Sequence, residues 1–233
     1  MTGMADLVGA ARCVLLDFDG PVCRLFAGHP SALIAEKLKE LIEEEDGGEL
    51  LTPDLRGTRD THVVLRAVAA RRPEGELAER LEALMTEEEV HAAATARPTP
   101  YADPLIRTLV ATGRRVAIAT NNSPRAVERY LAGRRLSSCF AGHVHGRTPD
   151  LRLLKPHPHC VLRALESTGT EARDALMIGD TPSDLAAARE AGVPFVGYAC
   201  NADRAGTLRD AGAEHVVTSL QDVLAAVSAP AHG

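Results

Sequence analysis

The segment Cys13-Val-Leu-Leu-Asp-Phe-Asp-Gly20 decides the fold, because a short apolar run ends there in two acids and a glycine. Such a run is typical of a buried strand that opens into a loop. Similar runs lie at 115–120, 175–180 and 193–198, with weaker ones at 142–145 and 215–217. Their apolarity is continuous rather than alternating, which predicts strands that are buried on both faces.

Helical patterns separate these strands, at 124–131, 158–165 and 183–191. Strands that alternate with helices predict an α/β fold, a Rossmann-like parallel sheet with helices on both faces. In such a sheet the ligand site lies beyond the carboxyl ends of the strands.

Residues 23–96 interrupt this alternation. Apolar residues there recur at helical spacing, as in Leu38, Leu41 and Ile42, and no convincing strand is present. Arg97-Pro-Thr-Pro100 marks the return of the chain to the main unit. We therefore expect an α/β core formed by 1–22 and 97–233, with an all-helical insert at 23–96 directly after the first strand.

Composition narrows the class of protein. The 233 residues carry a formal net charge of −6, which disfavours a nucleic-acid partner. No apolar stretch approaches the length of a membrane span, and the first residues lack the pattern of a secretion signal, so we expect a cytoplasmic protein that does not bind membranes. The five widely spaced cysteines include no C-x-x-C pair, and buried or incidental thiols are the expected explanation.

Asp17 and Asp19 are the first candidate catalytic residues. Side chains two apart in a strand point to the same side, so both carboxylates can face the crevice at the strand end. Two carboxylates this close repel unless a cation compensates, which suggests Mg²⁺ and a division between nucleophile and acid/base. The alternative is two polar residues that merely end a strand.

Thr120 and Lys155 are further candidate site residues. Thr120, Asn121 and Asn122 follow the second strand just before a helix start, where anions are favoured. Ser123 is better explained as a helix cap, with Pro124 in the first turn. Lysine occurs only at positions 37, 39 and 155 of this arginine-rich chain, and prolines restrict the loop at Lys155. A solvated surface lysine is the alternative there.

Asp180 and Asp184 complete the set of candidate residues. Asp180 ends an apolar strand, and Asp184 follows it at the start of a helix, so both acids can reach one cation. Helix capping by Thr181 and the helix dipole would also explain Asp184, but they leave Asp180 unexplained.

The order of these motifs resembles that of the haloacid dehalogenase-like superfamily, in its phosphoglycolate phosphatase-like branch with a helical cap. The matching segments are Leu-Leu-Asp17-Phe-Asp19-Gly-Pro-Val, Ala-Ile-Ala-Thr120-Asn121, Lys155-Pro, and Met-Ile-Gly-Asp180-Thr-Pro-Ser-Asp184. The insert lies where that family has its cap. One departure is Pro21, at a position where threonine is commoner, and it affects the expected geometry of the turn.

The resemblance implies a magnesium-dependent phosphatase that acts on a small phosphorylated metabolite. Asp17 would form an aspartyl-phosphate, and Asp19 would protonate the leaving oxygen and then deprotonate water. Mg²⁺ would be held by Asp17, the Asp19 carbonyl and Asp180, with Asp184 directly or through water. Phosphoryl oxygens would be bound by Thr120, the Asn121 amide and Lys155.

Several alternatives stay open at the level of sequence. A sugar phosphomutase could use the same residues, whereas a noncatalytic phosphate-binding protein or a receiver-type domain fits the intact motifs less well. Zinc at His143-x-His145 or His157-x-His159 lacks the further ligands of a familiar site. In the cap, Arg24, Arg56, Arg59 and His62 could meet an anionic part of the substrate, although ordinary solvated positions explain each of them as well. Substrate identity and oligomeric state are not encoded in any motif.

Overall fold

The computed structural model describes residues 3–72 and 75–228. Its main sheet has six parallel strands in the order β5-β4-β1-β6-β7-β8. These strands are β1 (Cys13–Leu16), β4 (Arg115–Ala119), β5 (Val144–His145), β6 (Ala175–Gly179), β7 (Phe195–Tyr198) and β8 (Val216–Val217). All six predicted strands are therefore present, and the α/β fold class is confirmed.

Twelve α-helices accompany the strands within the described residues. They are α1 (Met4–Ala10), α2 (Ser31–Asp46), α3 (Pro53–Gly57), α4 (Thr61–Arg71), α5 (Glu76–Ala93), α6 (Ala102–Ala111), α7 (Pro124–Arg134), α8 (Ser137–Phe140), α9 (His159–Thr168), α10 (Pro182–Glu190), α11 (Ala202–Asp210) and α12 (Leu220–Ser228). No helix of 3–72 or 75–228 is long and apolar enough to cross a membrane.

Burial on both faces of the sheet explains the continuous apolar runs. In β1, Val14 and Leu16 join the apolar cluster on one face, which also receives α6, α7 and α12. Cys13 and Leu15 point to the opposite face and pack with α9, α10 and α11. Because alternate residues serve different faces, a strand in the middle of this sheet has no polar side to display.

The helical region between β1 and α6 has an apolar core of its own, formed mainly by α2, α4 and α5. Leu151 and Leu154, from the loop that precedes Lys155, also belong to this cluster. The last turn of α5 behaves differently, because Ala92 and Ala93 pack into the core of the main sheet. We call residues 23–96 the cap, and their division from the core at these boundaries stays a prediction.

The expectation of an all-helical insert is wrong at its first two residues. Strand β2 (Cys23–Arg24) pairs antiparallel with β3 (Arg97–Pro98), so the chain leaves and re-enters the core through a two-stranded ribbon. Two chain segments that run side by side at this crossing satisfy each other's backbone groups, which periodicity within either segment does not reveal.

Candidate active site

The predicted site residues meet at one edge of the sheet. Asp17 follows β1, Thr120 follows β4 and Asp180 follows β6, and these three strands are neighbours. Their side chains line a cavity of about 740 Å³ between the sheet edge and the cap, which Lys155 and Asp184 also line. The carboxyl ends of parallel strands are the expected place for a ligand in this class of fold.

Lys155 is the centre of the buried charges. Its side chain is only 2% exposed, which excludes the solvated surface lysine considered above. The ammonium Nζ donates to Oδ1 of Asp17 at 2.7 Å, to Oδ1 of Asp184 at 2.5 Å and to the Ala119 carbonyl at 3.0 Å. Burial alone would lower the pKa of Lys155, but the two carboxylates outweigh it and raise the pKa above its ordinary value. Lys155 is therefore a fixed positive charge.

Asp184 caps helix α10 and also bonds Lys155. Its Oδ2 accepts hydrogen bonds from the backbone N–H groups of Asp180 at 3.1 Å and Thr181 at 2.9 Å. The Thr181 hydroxyl in turn accepts from the Asp184 N–H, which completes a capping box at the start of α10. Since Oδ1 bonds Lys155, both oxygens of this nearly unexposed carboxylate already have partners.

Three carboxylates converge on a place that fits a hard divalent cation. Asp17, Asp180 and Asp184 each offer an oxygen within 4.8 Å of the others. Oδ1 of Asp180 is buried and has no hydrogen-bond partner among the described residues. Burial, and then the neighbouring carboxylates, raise the pKa of Asp180 well above its ordinary value. Oxygen ligands of this kind are those that Mg²⁺ prefers, so the residues fit the ion that the motifs imply.

Asp19 lies beside this group rather than in it. Its Oδ1 accepts a hydrogen bond from the Leu25 N–H at 2.8 Å. Burial raises the pKa of Asp19 to about 7, although the bond from Leu25 opposes the shift. A carboxyl group with a pKa near neutrality can both give and take a proton, which is what an acid/base group requires.

The turn after Asp19 depends on Gly20. This residue has φ of +125°, and a Cβ atom there would lie 2.5 Å from Cγ of Asp180. The departure at Pro21 leaves the turn intact, since the N–H groups of Val22 and Cys23 both donate to the Phe18 carbonyl. Glycine is therefore required at position 20 by backbone conformation and by space.

The loop that contains Thr120 and Asn121 is hydrogen-bonded within itself and to Lys155. The Thr120 hydroxyl donates to Oδ1 of Asn122 at 3.0 Å and accepts from the Asn122 N–H at 3.2 Å. The side chain of Asn121 accepts from the Lys155 N–H at 2.7 Å and donates to the Lys155 carbonyl at 3.3 Å. Ser123 is the N-cap residue of α7 and Pro124 its first residue, as predicted, but the Ser123 side chain makes no capping bond.

Comparison with known proteins agrees with this arrangement. A family model described as haloacid dehalogenase-like hydrolase matches residues 11–192. The chain belongs to the haloacid dehalogenase-like hydrolase family. The match covers the four motifs and the cap together, so the resemblance seen in the sequence is confirmed.

Named relatives of this haloacid dehalogenase-like chain include phosphatases. It is 39% identical to the phosphoglycolate phosphatase of Rhodospirillum rubrum over 42% of its length, and 27% identical to that of Yersinia pestis over 56%. The matches span 39% and 56% of those relatives, respectively, which is less than two thirds of either. The fold is also similar to that of CbbY from Rhodobacter sphaeroides, whose structure was determined in complex with phosphate. The superposition covers 94% of this chain and 100% of the CbbY chain, with a TM-score of 0.65 and 19% sequence identity.

The cap wall of the cavity carries cationic and polar groups that differ from those of the core. Arg59 and His62 line the cavity, as does Arg66, which the sequence analysis did not single out. Arg56 instead lies beside Glu43, with 3.4 Å between Nη1 and Oε1, and does not line the cavity. Nε2 of His62 is buried without a partner in the described part of the chain, and burial lowers its pKa.

Arg24 does not line the cavity, whereas Arg204 of α11 does. Nη1 of Arg204 lies 3.8 Å from Oδ2 of Asp180. Nothing in the sequence around position 204 marks it as a site residue, because its helix follows a strand that carries none of the motifs.

The histidine pairs do not form a metal site with other described residues. Within this described part of the chain, Asp17, Asp180 and Asp184 are the sole group of three or more His, Cys, Asp or Glu side chains close enough to bind one ion. His143 and His145 instead both lie within hydrogen-bond distance of the Ser167 hydroxyl, at 3.1 and 2.6 Å.

Glu89 and Arg147 are buried residues next to the site that sequence reasoning missed. Both side chains are completely unexposed, and their charged groups are 2.9 Å apart. Glu89 lies in the predicted cap and Arg147 follows β5, and neither belongs to a motif. Their contacts join segments that are far apart in the chain, so no local pattern marks them.

Proposed function

We propose that this chain is a magnesium-dependent phosphatase that hydrolyses a small phosphorylated metabolite through an aspartyl-phosphate at Asp17. The observation that carries the proposal is the position of Asp17 at the end of β1, in the cavity, 2.7 Å from the buried ammonium of Lys155. A carboxylate beside a fixed positive charge and two further acids matches the nucleophile site of the family.

In the first step an oxygen of Asp17 attacks phosphorus, and the bond from phosphorus to the substrate oxygen breaks. Asp19 gives its proton to that leaving oxygen. In the second step Asp19 takes a proton from a water molecule, which attacks the phosphorus, and phosphate leaves with the Asp17 carboxylate restored. Asp19 therefore ends the cycle protonated, as it began.

Lys155, the Thr120 hydroxyl and the Asn121 amide would bind the phosphoryl oxygens. Such donors stabilise the negative charge that grows on the phosphoryl group in the transition state. Asp17, Asp180 and the Asp19 carbonyl would hold Mg²⁺, with Asp184 through water because both its oxygens are already bonded. The bound ion would neutralise negative charge on the transferred group.

The cap wall supports a substrate with a second anionic group. Arg59 is exposed in the cavity and has no hydrogen-bond or ion-pair partner among the described residues. Small phosphorylated acids of the phosphoglycolate type, named for the matching relatives, fit this combination of a phosphoryl site and a free guanidinium.

The test is phosphate release from a panel of phosphorylated metabolites, with and without Mg²⁺. We expect turnover that requires Mg²⁺ and falls by roughly 10⁴-fold or more in Asp17→Asn, because an amide cannot form the acyl phosphate. Asp222→Asn, at an exposed position of α12, is the matched control and should keep native activity. Full activity of Asp17→Asn would overturn the proposed mechanism. Isomerisation of a sugar phosphate without phosphate release would indicate a mutase instead.

A further inference from the structure

We propose that Glu89 and Arg147 are positioning residues, a buried pair that holds the phosphate-binding loop 120–123 in its working conformation and ties it to helix α5. The inference rests on the proposed function, since it assigns to this loop the binding of phosphoryl oxygens. Neither residue lines the cavity, so both act through the loop.

The carboxylate of Glu89 accepts two hydrogen bonds from the loop itself. Oε1 accepts from Nδ2 of Asn122 at 2.8 Å, and Oε2 accepts from the backbone N–H of Ser123 at 2.9 Å. Asn122 is in turn the side chain that bonds the Thr120 hydroxyl. The orientation of Thr120, a proposed phosphate ligand, thus depends on Glu89 through one intervening side chain.

Arg147 supplies the opposite charge and also bonds the loop. Its guanidinium donates to both oxygens of Glu89, at 3.1 and 2.9 Å, and to the Asn121 carbonyl at 3.0 Å. Its backbone N–H donates to the Asn122 carbonyl at 2.9 Å. A buried charge is costly unless it is paired and hydrogen-bonded, and here every interaction of the pair ends on the loop or on α5.

Helix α5 presents one face to Arg147. Glu82, Thr86 and Glu89 follow one another at helical spacing, and all three bond this guanidinium, Glu82 at 3.2 Å and Thr86 at 2.9 Å. Glu89 lies on α5 between Met85, in the cap cluster, and Ala92, in the core of the main sheet. The pair therefore connects the loop to the helix that joins cap and core.

Close approach of the two loops also depends on Gly146, the neighbour of Arg147. A Cβ atom at position 146 would lie 2.4 Å from the Asn122 carbonyl oxygen and 2.9 Å from Cδ of Pro124. The backbone before Arg147 is thus packed directly against the phosphate-binding loop. A loop so closely bounded has little room for a second conformation, and a displacement of about 1 Å at a catalytic group is enough to cost on the order of 10²-fold in rate.

The test compares Glu89→Gln with the neutral double variant Glu89→Gln/Arg147→Gln. Glutamine keeps the shape of the side chain but offers one acceptor and one donor, so one of the two loop donors loses its partner. The single change removes the fully buried partner of Arg147 and leaves only Glu82, whose side chain is 24% exposed. The double variant removes the guanidinium as well, so it should recover part of the thermal stability. Glu88→Gln is the matched control, because Glu88 directly precedes Glu89 in α5 but bonds His29 and Lys37 instead of the loop.

Two measurements follow, each on the full-length protein. Hydrogen exchange of the amides at 120–123 should be at least tenfold faster in Glu89→Gln and in the double variant, and unchanged in Glu88→Gln. The inhibition constant of inorganic phosphate, measured with Mg²⁺, should rise at least tenfold in the same two variants. A purely structural role would predict that the double variant recovers loop protection and phosphate binding together with stability.

Unchanged loop exchange in folded Glu89→Gln would overturn the inference, as would native phosphate affinity in the double variant. The proposed function fails separately, if the native protein neither hydrolyses a phosphoester nor binds phosphate. In that case the exchange of the loop amides still decides whether Glu89 and Arg147 position the loop.

Discussion

The two walls of the cavity are built in opposite ways. On the core wall, Asp17, Lys155 and Asp184 are nearly unexposed and bonded to one another. On the cap wall, Arg59 is exposed without a partner, and Nε2 of His62 has none either in the described residues. On the proposed function, the groups that carry out the chemistry are held in place by the ends of the sheet, whereas the groups that would meet the variable part of the substrate are left free to bind it.

The backbone of the cap wall is nevertheless held by hydrogen bonds from a buried lysine. Lys39 is buried in the cap, and its ammonium donates to the carbonyls of Arg56 at 2.9 Å and Thr58 at 3.1 Å. These residues flank the turn that leads to Arg59. The backbone of the cap wall is therefore fixed while the side chain that it carries is free.

The largest effect is expected when the buried positive charge of the core wall is removed. Lys155→Met leaves the carboxylates of Asp17 and Asp184 buried without their cation, so we expect the free energy of unfolding without Mg²⁺ to fall by about 3 kcal/mol. Turnover should fall on the order of 10³-fold, because a fixed donor to the phosphoryl group is lost. Denaturant unfolding and phosphate-release assays measure the two effects.

Lys37→Met is the control for that change, because Lys37 is half exposed and pairs with Glu88 on the cap surface. It should alter the free energy of unfolding by less than about 1 kcal/mol. Equal losses of stability in the two variants would show that the buried charge of Lys155 contributes no more to stability than the exposed charge of Lys37. Added Mg²⁺ should restore part of the stability of Lys155→Met and none of that of Lys37→Met.

A smaller effect is expected when a methyl group is added to the core wall and its charges are kept. Gly20→Ala places a methyl group against Asp180, so we expect a loss of kcat/KM on the order of 10²-fold. Gly113→Ala separates strain from crowding, since Gly113 also has positive φ, at +79°, but nothing lies within 4 Å of its added Cβ. That variant should lose about 1 kcal/mol of stability and keep native kcat/KM. Native activity in folded Gly20→Ala would contradict the requirement for glycine.

The smallest effect is expected on the cap wall. Arg59→Ala should raise KM by about tenfold and leave kcat nearly unchanged, because a charge-assisted bond to the substrate is lost while the phosphoryl site is intact. Arg56→Ala, three residues earlier and outside the cavity, should leave both constants unchanged. A loss confined to kcat in Arg59→Ala would mean that the cap wall takes part in the chemistry and would remove the contrast between the walls.

The sequence predicts the core wall well for a physical reason. Asp17, Thr120 and Asp180 each follow an apolar strand, and parallel topology brings such strand ends together whatever the loops do. The place of Lys155 was predicted through its motif, but its burial was not, because the charges that make burial tolerable come from Asp17 and Asp184, far away in the chain.

The remaining features depend on contacts between distant segments. Glu89 looks like any other acid of a surface helix, and only packing shows that it faces Asn122 and Arg147 across more than thirty residues of chain. In the same way, the pairing of Cys23 with Pro98 joins two segments whose local patterns show no strand. Periodicity within a window cannot report such pairings, since each half is satisfied only by the other.

The three lysines have a practical consequence for labelling the protein. Lys39 and Lys155 are almost completely buried, whereas the Lys37 side chain is 49% exposed on the outer surface of the cap. An amine-reactive fluorophore should therefore modify a single lysine side chain, at a position outside the cavity. The rarity of lysine in this chain thus provides a natural attachment point from which the environment of the cap can be followed by fluorescence while substrate binds, without first engineering the surface.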